Sequence, residues 1–80
     1  MTEFELFKQA NKLTQKGEWS NALKVYEKIV KKDPTDAYLW HKIGEMYEEL
    51  ENDKIAVMCF EKARSLGYSV DVEHILHEKR

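Results

Sequence analysis

Eighty residues, 42% apolar and 35% charged, with two Trp, four Tyr and three Phe, describe one soluble, charge-rich globular domain and exclude a disordered segment. A net charge of −2 excludes the broad basic footprint of a nucleic-acid binder. No apolar run approaches the roughly 20 residues of a membrane span, and a single cysteine, Cys59, excludes an internal disulfide framework. The opening MTEFELFKQANK has acids where a secretory leader has basic residues and then an apolar run, so a cytoplasmic setting is expected. A chain of this length buries only roughly 60–65% of its unfolded surface, so its stability is expected to be modest.

Glycine and proline are rare and no stretch alternates with period two, which argues against strands. The apolar residues recur at helical spacing instead. The first segment carries Phe4, Leu6, Phe7, Ala10 and Leu13, and Thr2 and Glu5 have capping-box spacing at its start. The second carries Trp19, Ala22, Leu23, Tyr26, Ile29 and Val30 and stops at Asp33-Pro34, because proline disfavours helix at the residue before it. The third carries Tyr38, Trp40, Ile43, Met46, Tyr47 and Leu50. The fourth carries Ile55, Ala56, Cys59, Phe60, Ala63 and Leu66, and Gly67 is placed to cap its end. A last short segment offers Val72, Ile75 and Leu76. The predicted elements are five helices, near 3–16, 19–32, 36–50, 53–66 and 70–79. Short loops make neighbouring helices antiparallel.

The chain also repeats itself. At an offset of 34 residues, Ala22 falls on Ala56, Tyr26 on Phe60, and Glu27-Lys28 on Glu61-Lys62. The first and third helices follow in phase: Leu6 on Trp40, Ala10 on Gly44 and Leu13 on Tyr47. A two-helix unit with this period stacks on copies of itself. Small residues at Ala10, Gly44, Ala22 and Ala56 let helices approach closely, and Trp40, Tyr47, Tyr26 and Phe60 fill the gaps between them.

On these residues the sequence resembles the tetratricopeptide repeat family. The second copy carries Trp40-x-x-Ile43-Gly44-x-x-Tyr47, then Ala56-x-x-x-Phe60 and Ala63. The first carries Gly17-Glu18-Trp19, Ala22-x-x-x-Tyr26 and Pro34, and departs at Leu6, Gln9 and Leu13. The second lacks the closing proline and has Tyr68 there. The resemblance implies a short right-handed all-α solenoid of antiparallel helix-turn-helix units. Residues 3–36 and 37–70 would be the two units and residues 70–80 a C-terminal capping helix.

The resemblance further implies a non-enzymatic interaction module whose first helices line a concave groove. By helical phase the groove would be lined by Phe4, Phe7, Lys8, Asn11 and Gln15, with Tyr38, His41, Lys42, Glu45 and Glu49. An aromatic end opposite an acidic end suits a short amphipathic peptide or helix of unspecified identity. The plainer alternative is that Phe4 and Phe7 only pack on Tyr38 or on the last helix. One subfamily clamps acidic chaperone tails with lysine, asparagine and arginine, but its positions fall here on Phe7, Asn11, Lys42, Val72 and Leu76. Only Asn11 is kept, so that partner is not expected. A runner-up reading is self-assembly, in which the groove, or the stripe of Val72, Ile75 and Leu76, meets a second copy to form a homodimer. A third is a designed or trimmed repeat scaffold with no specific ligand.

Chemistry of its own is not expected. There is no glycine-rich phosphate loop, and Cys59 sits on a helix that reads as buried, which suits a packed thiol rather than a nucleophile. His74-x-x-His77 puts two imidazoles on one side of a helix, but two solvated histidines are expected there, and no metal or cofactor. Lys28, Lys31 and Lys32, and Glu48, Glu49 and Glu51, read as solvated faces.

Overall fold

The computed structural model describes residues 2–68. They form four α-helices and no strand: α1 (Glu3–Gln15), α2 (Trp19–Lys32), α3 (Ala37–Glu49) and α4 (Asp53–Ser65). These match the first four predicted helices to within a residue at each end. The correction is to the count, because the predicted fifth helix, with the apolar stripe Val72, Ile75 and Leu76, lies outside the described residues.

The helix ends have local causes. At α1, Thr2 and Glu5 close the predicted capping box: the Glu5 amide donates to Thr2 Oγ1 at 3.2 Å and the Thr2 amide to Glu5 Oε1 at 3.0 Å. Asp36 caps α3 by accepting from the Tyr38 and Leu39 amides at 3.0 and 3.4 Å. This places Asp36 as the cap, one residue before the helix proper. Asn52 does the same for α4 through the Ile55 amide at 3.5 Å. Three C-termini close alike. The Glu18, Asn52 and Tyr68 amides reach back to the carbonyls of Leu13, Tyr47 and Ala63 at 2.9, 2.8 and 3.0 Å. Each such turn needs a left-handed residue at its corner. Gly17 and Gly67 fill two of these corners, at φ +77° and +103°, and Glu51 fills the third at φ +61°.

The core runs along the helix interfaces, and Ala10, Ala22, Tyr26, Ile29 and Leu39 have no exposed surface. Small-against-large packing is present at Gly44. A Cβ on Gly44 would come within 2.6 Å of the Phe60 ring, so α3 and α4 touch there because residue 44 has no side chain. Among the described residues each helix packs backbone-to-backbone only on its neighbour in chain order. Side chains alone join α1 to α3, where Phe7 meets Tyr38 and Thr14 Oγ1 lies 3.9 Å from Met46 Sδ. None of the described helices is long and apolar enough to cross a membrane.

Candidate functional site

Helical phase places Tyr38, His41, Lys42 and Glu45 on one side of α3, because three- and four-residue steps return to the same face. Phe7 of α1 joins them. Its ring lies 6.4 Å from that of Tyr38 and meets Tyr26 of α2 edge-on at 6.3 Å. The row continues past the end of α4. The left-handed Gly67 turns the chain so that Tyr68 lies against α3, 6.4 Å from Tyr38 and stacked on His41 at 4.4 Å. His41 in turn meets Phe60 at 5.2 Å. A continuous aromatic row therefore links all four helices, from Phe7 and Tyr26 through Tyr38 and His41 to Phe60 and Tyr68.

Polar groups flank the row. The Lys42 ammonium lies 3.1 Å from Glu45 and 5.7 Å from the Tyr38 ring centre. Half-burial alone would push the Lys42 pKa down, but the hydrogen bond and charge of Glu45 outweigh it and hold it above its usual value. Glu45 also lies 3.5 Å from His41 Nε2, an ion pair only when the imidazole is protonated. Beneath Phe7, the Tyr26 hydroxyl donates to Asn11 Oδ1 at 3.2 Å, and burial pushes the phenol pKa up. A separate hollow of about 420 Å³ on α1 is lined by Lys8, Asn11 and Gln15, among others.

Of the predicted groove residues, Phe7, Tyr38, His41, Lys42 and Glu45 meet in one patch, and Asn11 is tied to it through Tyr26. Phe4 stands apart: it is 71% exposed, and among the described residues its aromatic contact is the Lys8 ammonium at 5.6 Å. Tyr68, Tyr26 and Phe60 belong to the row without having been singled out for it. Tyr68 stands where the repeat pattern has a proline, and that departure is the signal that marks it.

The opposite side of α3 floors a second cleft, of about 580 Å³, between α2 and α4. Trp40, Ile43 and Tyr47 form its floor, with Val30 on one wall and Met58 and Cys59 on the other. These residues read as core, and the core is thinner there than their apolar character implies. Val57 and Met58 carry the signal, since they widen the apolar stripe of α4 beyond what one neighbour covers. Cys59 is buried and its thiol pKa is raised by that burial, the reverse of an activated nucleophile. Glu3, Asp33 and Asp36 gather carboxylate oxygens within 4.8 Å of one another. Asp36 is already engaged in its cap and Asp33 accepts from the Thr35 hydroxyl at 3.2 Å. His74, His77, Val72, Ile75 and Leu76 lie outside the described residues.

A family model described as "Domain of unknown function (DUF7017)" matches residues 3–78, and the chain belongs to that family. Neither a curated protein nor a solved structure matches the chain. The match corrects the tetratricopeptide resemblance, because the family whose pattern spans the chain is a different one. Small residues at helix crossings and large ones between them are what any close-packed pair of helical hairpins requires. Residues such as Gly44, Ala56 and Phe60 therefore report the packing without reporting the family.

Proposed function

We propose that this family member is a non-enzymatic interaction module, cytoplasmic in setting, that takes a short peptide or amphipathic helix across the aromatic row of α1 and α3. In this reading the four helices are two stacked helix-turn-helix units of a short right-handed solenoid. The phase of Ala10 with Gly44, Ala22 with Ala56 and Tyr26 with Phe60 supports it. The observation that carries the functional reading is the row itself. Tyr38 remains 45% exposed although it has ring contacts on two sides. Exposed, mutually braced aromatics present large contact area at small entropic cost, as binding hot spots do. The Lys42–Glu45 pair at the edge gives a docked segment a direction. Asn11 is the one residue of the acidic-tail clamp pattern present here, and the Tyr26 hydroxyl already engages it.

The test is selection of a displayed peptide library on the whole chain. Enriched peptides are expected to share spaced apolar residues. They should bind Tyr38→Asp at least about tenfold more weakly, a loss of about 1.4 kcal/mol. Tyr38 is exposed enough that the variant keeps its helical circular dichroism. Peptides that bind the variant equally well would move the site elsewhere, and an empty selection would leave a scaffold without a ligand. A second reading, self-assembly, draws on a different feature, the apolar surface that Val57 and Met58 expose on α4.

A further inference from the structure

The cleft between α2 and α4 is built independently of the aromatic row. Its floor is held in place. The Trp40 indole donates to the Pro34 carbonyl at 2.7 Å, so its polar edge is satisfied and its ring face is what the floor offers. Ile43 beside it is buried. The walls, Val30 on α2 and Met58 on α4, are apolar, and Met58 is 64% exposed, so that wall is open to solvent. A concave, mainly apolar space of about 580 Å³ with a few charged groups at its mouth has the size and chemistry of a small-molecule site.

The charges at the mouth are sorted by end. The Lys62 ammonium lies 5.9 Å from the Trp40 ring centre. Lys31 lines the cleft three residues before Pro34, whose carbonyl Trp40 holds, so it falls at the Trp40 end as well. Glu27 is one turn back along α2, and its charge adds to burial in pushing up the pKa values of the Tyr47 phenol and the Cys59 thiol. The carboxylate therefore marks the Tyr47 end, about 10 Å along α3 from Trp40. Two ammoniums against one carboxylate make this mouth basic on a chain whose net charge is −2. Among the described residues neither ammonium is in an ion pair.

We propose that this cleft binds a small amphipathic carboxylate, of the class of a medium-chain fatty acid. Its apolar body lies on Trp40, Ile43 and Tyr47, and its headgroup is held by Lys31 and Lys62. Glu27 repels the headgroup from the other end and so sets the direction in which the molecule lies. The site stands whether or not the aromatic row takes a peptide.

The test titrates decanoate into the full chain, with decyltrimethylammonium as the same tail carrying the opposite charge. The Trp40 indole and the Met58 methyl are followed by NMR. The expected result is saturable shifts of both groups at millimolar decanoate or below, with Tyr38 unmoved, and binding of the cation at least about tenfold weaker. Lys31→Gln combined with Lys62→Gln should weaken decanoate at least about tenfold. Both side chains are exposed, so this variant keeps its fold. Glu27→Gln should bind decanoate as tightly or more tightly. The proposal is overturned by absence of any shift, by equal binding of the two tails, or by unsaturated shifts spread over the exposed apolar surface. Shifts of the same groups on raising the protein concentration alone would also overturn it and give the cleft to a second copy. Shifts produced by library-selected peptides, with none by decanoate, would give it to a protein partner instead.

Discussion

Glu51 and Gly44 each hold a position that the backbone makes demanding. Glu51 is the left-handed corner of the turn that closes α3, the place that Gly17 takes at the end of α1. A side chain in that conformation costs roughly 1–2 kcal/mol, and part of the relief from glycine is lost to its freer unfolded chain. Glu51→Gly should therefore stabilise the protein by about 0.5–1 kcal/mol, read as a higher urea midpoint at unchanged slope. An unchanged or lower midpoint would mean that Glu51 makes a compensating contact. Gly44 is the opposite case. Gly44→Ala adds helix propensity worth about 1 kcal/mol, yet drives a Cβ to 2.6 Å from the Phe60 ring. Overpacking of that kind costs about 1–3 kcal/mol, so the net effect should be destabilising. In a Phe60→Leu background, where the ring is gone, the same substitution should be neutral or stabilising. Equal cost in both backgrounds would show that the close approach to Phe60 is not what requires glycine.

At the scale of the helix, α1 carries a pH-sensitive start. Glu5 accepts from the Thr2 amide and hydroxyl, and those bonds hold its carboxyl below the usual 4.5. A lowered value means the folded helix prefers the carboxylate. The contribution is complete above the unfolded value and lost as the pH falls through the folded one. Cα chemical shifts of Glu3 to Phe7 should lose helical character over that acid range, and Glu5→Gln should remove the step. A step that survives in Glu5→Gln would assign it to another carboxylate. The same box made α1 legible in the sequence, as Asp33-Pro34 made the end of α2 and Gly67 the end of α4. Periodicity and caps are local, so they can be read without knowing the neighbours. The row of rings is not local. Phe7, Tyr38 and His41 could be placed by helical phase, but Tyr68 joins them only because Gly67 bends the chain back, and Tyr26 only because α2 passes beneath α1. The cleft over Trp40 and Tyr47 was hidden for the same reason, since a partly covered ring and a buried one look identical in sequence.

For the whole molecule, a chain of nearest-neighbour contacts has a mechanical consequence. α1 touches α2, α2 touches α3 and α3 touches α4, with no backbone contact that closes the ends on each other among the described residues. Helices held by one neighbour open before helices held by two. α2 and α3 are each held on two sides, and α1 on one. Native-state hydrogen exchange should therefore rank α2 and α3 slowest and α1 fastest, with a gap of about 1–3 kcal/mol, or roughly 5- to 150-fold in rate. α4 is the informative element. With backbone contacts to α3 alone among the described residues, it should exchange at a rate close to that of α1. One common rate for all four helices would mean that the array opens as a single unit. The nearest-neighbour description would then fail even though every contact in it is present.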